Sequence, residues 1–382
     1  MKILYVASNA RHIRDFHIPV INGLLNCGHE LTVGCSGAGS LEEPIDKTGI
    51  GARIATVDIP FVKNYFSPRN LKAWRRVYRL LKSEDFDLVS THTALAGFVV
   101  RSAALVAKRI GHWRGSCMHT VHGYLFGKNA PLTGRLTYPF ERLCAGVTDA
   151  LVVMNKEDME HAAKLAGRNG AIYYIPGMGV DTVHFRPPES GEKDAAREAL
   201  REELGLSEGF MIFCAAEFSA RKNHRDLIRA MPYMPSVNLL LAGDGGLIGK
   251  TKSLASRLGV GGRVRFLGYV DDTAPYLLAC DAVVSAARSE GLPFGVMEAM
   301  AAGVPVAASR IKGHVDLLPE SVLFSPGKPR EIAERVTAVL EGGMRGKDGT
   351  RESTQCSVLP PEFAKDSALK AIMEIYECFY LY

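Results

Sequence analysis

Glu290 and Glu298 stand in an apolar, glycine-punctuated stretch, residues 289–306, that reads Ser-Glu-Gly-Leu-Pro-Phe-Gly-Val-Met-Glu-Ala-Met-Ala-Ala-Gly-Val-Pro-Val. Carboxylates accept hydrogen bonds from hydroxyls, and the unpaired N–H groups and positive dipole end at a helix start hold phosphate. The stretch therefore suits an anionic ligand that carries hydroxyls. Upstream, Arg221 and Lys222 stand side by side after a second apolar run, 210–216. Adjacent cations at a strand-to-helix turn can neutralise a diphosphate whose charge grows as a glycosidic bond breaks. A helix-start acid and a solvated basic loop would use the same residue types. Position separates the readings, because both groups fall where open α/β sheets bind ligands, at the carboxyl ends of strands.

The elements that must position these residues follow from periodicity. Residues 282–285 read as a buried strand, 294–302 as a short helix ended by Gly303, and 305–308 as the next buried strand. Further strands are predicted in the second half at 210–215, 238–242, 264–267 and 321–324. In the first half they fall at 2–7, 31–35, 54–58, 88–91, 116–121, 150–153 and 171–175. Amphipathic helices are expected between them at 18–27, 71–82, 96–108, 135–144 and 157–166. Such alternation predicts an α/β fold of two Rossmann-like, doubly wound parallel-sheet domains facing a cleft. The Pro- and Gly-rich segment 176–188 reads as the linker. The expected domains are 1–176 and 177–361, with 362–382 a terminal helix and 342–361 a loose, polar segment.

A chain of 382 residues, 47% hydrophobic and 23% charged, has the composition of a soluble globular protein large enough for two cores. No stretch reaches the roughly 18 apolar residues of a membrane helix. The first apolar run is short, and Arg11, His12, Arg14 and Asp15 follow it, so a strand of a cytoplasmic protein is expected rather than a signal peptide. Eight cysteines without a C-x-x-C pair fit reduced packing residues, not disulfides or zinc ligands. The net charge of +5 is modest, and no nucleic acid is expected as a partner. Basic residues do crowd one predicted helix: Lys72, Arg75, Arg76, Arg79 and Lys82, with Trp74 and Tyr78 among them.

The Glu290 and Glu298 spacing, with Phe294-Gly295 between, resembles the signature of glycosyltransferase family 4, the retaining GT-B enzymes. The resemblance implies that Glu290 contacts the donor sugar, that Phe294 and Gly295 approach sugar and phosphate through their amides, and that Glu298 binds ribose. The resemblance also implies that 1–176 binds the acceptor and 177–361 the nucleotide sugar, and that the helix 362–382 crosses back onto the first domain. Lys222 matches the family's strand-end Lys. Glu217 fills the place of the family's Arg, and Arg221 is the candidate to replace it. The donor surface so implied is Arg221, Gly243, Tyr269, Val270, Leu292, Pro293, Phe294, Gly295, Val296 and Glu298. Around Gly243, a Gly-rich turn is on its own as consistent with structure as with ligand binding. His122, ending a strand in a His-Gly pair, takes the place of a family His that reaches the donor sugar, whereas strand alternation puts His119 out of line and leaves it to packing. Asn9, Arg11, Arg14 and His92 are acceptor-side candidates.

Residues 120–142, with Met154-Asn155-Lys156-Glu157-Asp158 and 175–181, resemble a bacterial branch that builds capsule, exopolysaccharide or protein-linked glycans. That likeness implies a UDP-sugar donor, an N-acetylated hexosamine as the sugar moved, and a polyprenyl-diphosphate-linked glycan acceptor. No metal or other cofactor is expected, since no D-x-D stands suitably at a strand end. Such an acceptor lies at a bilayer, so the helix at 71–82 becomes a candidate docking face for the inner side of the plasma membrane, with further charge at Arg101, Lys108, Arg109, Arg114, Lys128 and Arg135. A helix packing Leu71, Trp74 and Leu81 on the sheet is the simpler reading of that segment alone. The alternative functions are a UDP-sugar epimerase of the same fold and a catalytically silent sugar-nucleotide-binding partner.

Overall fold

The computed structural model describes residues 1–41, 54–65, 67–127, 132–166, 170–206, 208–342, 344–345, 351–352 and 358–380. Short runs rich in Val, Ile, Leu and Ala become strands, the central ones buried on both faces as parallel sheets covered by helices require, the edge strands only partly. In the first half these are β1 (Lys2–Asn9), β2 (Glu30–Ser36), β3 (Ile54–Asp58), β4 (Leu88–His92), β5 (Ser116–Val121), β6 (Ala150–Val153) and β7 (Ala171–Tyr174). They pair in parallel in the order β3-β2-β1-β4-β5-β6-β7. The second half contributes β8 (Phe210–Ala215), β9 (Val237–Ala242), β10 (Val264–Gly268), β11 (Ala282–Ser285), β12 (Val306–Ser309) and β13 (Leu323–Phe324). Their order, β10-β9-β8-β11-β12-β13, again reverses beside the first strand of the set. Each sheet thus has a switch point, between β1 and β4 and between β8 and β11, where a crevice opens at the strands' carboxyl ends.

The chain divides into two compact units, Met1–Gly179 together with Asp366–Tyr382, and Val180–Lys365. In the first, Leu4, Val6, Val89 and Cys117 of the sheet bury against Ala73, Val77, Leu81, Val100, Ala103 and Ala104 of the helices Asn70–Ser83 and Ala94–Arg109. Each fully buried Val or Leu in such a layer is worth about 1.5–3 kcal/mol. The helix Lys365–Tyr380 belongs to this unit through its buried face: Tyr376 is buried, its hydroxyl lies 2.6 Å from Ser90 Oγ, and Met373 packs over Gly23.

Three segments depart from the expectations. Residues 10–16, given no element from sequence, form a helix, Ala10–Phe16, because Asn9 caps it by accepting the His12 N–H at 2.9 Å. A charged helix, Glu192–Leu204, follows the linker and buries only Leu200 among its described residues. The helix expected at 135–144 is broken into Leu132–Arg135 and Tyr138–Ala145. Pro139 has no N–H to donate and so must sit in a first turn.

The charged surface also needs correction. Arg101 is fully buried, with Nη2 2.6 Å from the buried carboxylate of Glu141 and Nε donating to the Gly97 carbonyl at 2.9 Å. It adds no charge to a docking face. On the helix Asn70–Ser83, Lys72, Arg75, Arg76, Arg79 and Lys82 are exposed, while Leu71, expected to pack inward, is 49% exposed and Trp74 stacks on Tyr78 at 5.3 Å. Lys128 and most of the segment expected to be loose, 342–361, lie outside the described residues.

Candidate active site

In the second unit the β8/β11 switch point gathers the charged residues. β8 opens into a turn that ends at Asn223, whose backbone is left-handed at φ 57° and whose amide donates to Asp226 at 2.7 Å and to the Ala286 carbonyl at 3.1 Å. This amide fastens the turn after β8 to the turn after β11. Arg221 and Lys222, just before it, are thereby delivered to Glu290 from the neighbouring strand end. Lys222 Nζ lies 2.6 Å from Glu290 Oε1, and Arg221 Nη1 donates to Oε2 at 2.8 Å and to the Ser289 carbonyl at 3.1 Å. Burial pushes the Glu290 carboxyl up, but Lys222 and Arg221 outweigh it and hold the group below the usual carboxylate range. Glu217, in the place where the resemblance implies an Arg, is exposed.

Glu298 has the opposite environment. It lies on the helix Phe294–Ala301, which starts after Pro293 without a side-chain cap among the described residues, an opening that an anion can complete. Thr273 Oγ1 donates to Glu298 Oε2 at 3.2 Å. Burial, with Asp272 nearby, raises the Glu298 carboxyl above its ordinary value despite that bond. Lys222, Pro293, Gly295, Val296 and Glu298 line a single cavity over Phe213. Leu292 is buried and Phe294 half-buried at its edge of the loop.

Gly243 is required by contact. At φ 130° an added Cβ would stand 2.2 Å from the Ala216 carbonyl oxygen, so only glycine lets the turn after β9 pass against the turn after β8. Its N–H donates to the Gly268 carbonyl at 2.6 Å, which ties it to the end of β10, where Tyr269 is exposed and Val270 half-buried. Sequence reading missed His314. It is fully buried, its Nδ1 donates to the Ser309 carbonyl at 2.7 Å, and its Nε2 is without a hydrogen-bond partner among the described residues. Burial drives it down to about 4 even though Glu290 is close enough to pull it up. The Gly313-His314 pair after β12 was the available signal.

In the first unit the β1/β4 switch point gathers histidines. His92 ends β4 and His122 follows β5, with ring centroids 5.8 Å apart. His12 and His17, neither singled out from sequence, join them from the first helix after β1 and from the junction that follows it, at 5.0 and 5.4 Å from His122. Burial pushes His17, His92 and His122 far below the ordinary imidazole value and His12 to about 4, so all four rings are neutral. His119 stands apart, buried against Gly97 with Nδ1 2.9 Å from Thr91 Oγ1. Arg11 and Arg14 are partly exposed and pair with Asp15 at 3.4 and 3.7 Å, while Asn9 is occupied as the helix cap.

Comparison with known proteins agrees with this layout. Residues 20–177 match the Glycosyl transferase 4-like domain, and residues 196–353 match Glycosyl transferases group 1. EpsD of Bacillus subtilis, named as a glycosyltransferase, is 32% identical over 344 residues, covering 88% of this chain and 86% of the relative. The UDP-Gal:alpha-D-GlcNAc-diphosphoundecaprenol alpha-1,3-galactosyltransferase of Escherichia coli is 28% identical over 290 residues, 73% of this chain and 71% of the relative. Among solved structures, Anabaena HepE in complex with UDP and glucose shares the fold at a TM-score of 0.75 and 19% identity, over 99% of this chain and 100% of that one. Two Rossmann-like units, the two matched domains and a relative at 32% identity along nearly the full length lead to one conclusion: the chain belongs to the GT-B glycosyltransferases.

Proposed function

We propose that the chain is a retaining, family 4 glycosyltransferase that moves an N-acetylated hexosamine from a UDP-sugar to a polyprenyl-diphosphate-linked sugar during surface polysaccharide or glycan assembly. The observation that carries this reading is the clasp of Lys222 and Arg221 on Glu290. Two cations at one switch point neutralise the charge that develops on a departing diphosphate, the work a metal does in other transferases. Glu298, whose carboxyl burial holds above its ordinary value, accepts from ribose hydroxyls. Gly295 and the uncapped helix start take phosphate oxygens. The acceptor hydroxyl attacks C1 on the face the diphosphate leaves; as the new C1–O bond forms, the old bond's electron pair goes to the phosphate oxygen, which also takes the acceptor's proton. Neither glutamate is needed as a covalent nucleophile.

The E. coli relative's name gives a UDP-sugar donor and a diphosphoundecaprenol acceptor, and HepE was solved with UDP, which supports the donor and acceptor classes. The exposed basic face of the helix Asn70–Ser83, with Leu71 beside it, supports docking on an anionic membrane surface. No helix among the described residues is long and apolar enough to cross a membrane. Incubation with a panel of UDP-sugars and a lipid-linked sugar acceptor tests the reading. Transferred sugar with release of UDP is expected. Epimerised donor without transfer would make the protein an epimerase, and donor binding with neither product would make it a silent binding partner.

A further inference from the structure

Resemblance gives His122 a place near the donor sugar, but it accounts for neither His12 nor His17, whose rings crowd it at 5.0 and 5.4 Å. One ring nitrogen from each of His12, His17 and His122 lies within 4.8 Å of one from each of the other two. Nε2 of all three is buried and without a hydrogen-bond partner among the described residues. A buried imidazole nitrogen left unpaired forfeits its hydrogen bond to water, so three such groups among neighbouring rings are a standing deficit that a ligand would remove. We propose that His12, His17 and His122 form a binding site for a divalent transition-metal ion of the zinc type, with a fourth position open to water or a ligand oxygen.

The chemistry of the donor set selects the ion. Three neutral nitrogens and no carboxylate suit zinc or cobalt, whereas magnesium and calcium take oxygen ligands. Three protein ligands with one open position is the pattern of sites that bind an exogenous molecule, not of closed structural sites. Zinc–nitrogen bonds of about 2.0–2.1 Å place tetrahedral ligands about 3.4 Å apart, so each nitrogen needs to move inward by less than about 1 Å.

The surroundings are built to aim these rings. His17 occupies the junction between the helices Ala10–Phe16 and Ile18–Asn26, and its Nδ1 is 2.6 Å from the Tyr5 hydroxyl. With the proton on Nδ1 and donated to that oxygen, Nε2 keeps its lone pair for a ligand, the tautomer that an outer-shell partner fixes in a metal-bound histidine. Tyr5 is in turn hydrogen-bonded to Tyr376, Tyr376 meets Ser90 at 2.6 Å, and Ser90 Oγ is 3.1 Å from His92 Nε2. A single polar chain thus runs from His17 to His92. His92 stacks on Tyr5 at 4.4 Å and its Nδ1 is also unpartnered among the described residues, so it can hold a water in the open position.

A tag-free, full-length chain stripped with chelator and titrated with Zn(II) or Co(II) tests the site. One equivalent is expected to bind, with the intense visible bands of four-coordinate Co(II), and His12→Ala and His122→Ala are each expected to weaken binding at least tenfold. His112→Ala, outside the cluster, is expected to leave it unchanged. Thermal unfolding in chelator shows whether a variant is folded, and the wild-type Co(II) spectrum decides independently of any variant. Failure to retain either ion, weak six-coordinate bands, or undiminished binding by both cluster variants would overturn the proposal. None of these readouts depends on sugar transfer, so the two proposals fail separately.

Discussion

Glu298 accepts one hydrogen bond from Thr273 and has no ion pair among the described residues, which is why burial lifts its carboxyl above the usual range. A group with a raised folded-state pKa stabilises the fold at low pH, and that contribution is lost as pH rises through the raised value. At neutral pH its charge is therefore a liability until a ligand hydroxyl arrives. Glu298→Gln is expected to raise the Tm of the ligand-free chain at pH 7 but not at pH 4. The same variant weakens UDP binding by about 1.5–3 kcal/mol, because a charge-assisted bond to ribose is lost. Calorimetry showing unchanged UDP affinity would remove the ribose assignment. Lys222→Ala is expected to lower kcat more than donor affinity, since its charge is needed most as the leaving group departs; a change confined to KM would make Lys222 a ground-state contact. Both glutamates stand out by their place between apolar runs, while their roles rest on family resemblance. The Arg221–Glu290 and Lys222–Glu290 pairs were not legible, because the partners come from different strand ends. His12, His17, His92 and His122 come from four chain positions that only the sheet order brings together.

Elements were legible where their burial was one-sided or complete. The thirteen strands of the two large sheets appear near their expected positions because parallel strands covered by helices must be continuous apolar runs. The helices Ala10–Phe16 and Glu192–Leu204 were missed because they bury only Ala10 and Ile13, and Leu200, among their described residues, too little apolar surface to print a period on the sequence. The helix Asn70–Ser83 was legible in both its faces. Its buried face, Ala73, Val77 and Leu81, is secured by the core, so its exposed cations can be removed without unfolding it. Each basic residue close to an anionic surface contributes about 1 kcal/mol. Neutralising Arg75, Arg76 and Arg79 together is expected to release the protein from anionic vesicles in sedimentation, as is added salt. A wild type that stays in the supernatant at low salt, or a triple variant that pellets equally well, would rule out this face.

At the scale of the whole molecule, the last helix completes the first unit rather than the second, to which it is joined in sequence. Tyr376→Phe removes the hydroxyl between Ser90 and Tyr5 and is expected to cost about 1 kcal/mol. Deleting residues 366–382 uncovers that whole face and is expected to lower the unfolding temperature of the first unit while leaving that of the second unchanged; a scan in which both shift equally would contradict this division. The return of this helix was anticipated from family resemblance, since a terminal amphipathic helix carries no mark of which sheet it will cover. Everything proposed for the second unit, from the Lys222 and Arg221 clasp to the ribose-binding Glu298, serves one event, departure of a nucleoside diphosphate from the face that the acceptor then enters. The anomeric configuration of the product, read by NMR after transfer from a UDP-sugar to a lipid-linked acceptor, tests that event most directly. The account predicts a new linkage with the donor's anomeric configuration and one UDP released per sugar transferred; an inverted linkage would contradict it.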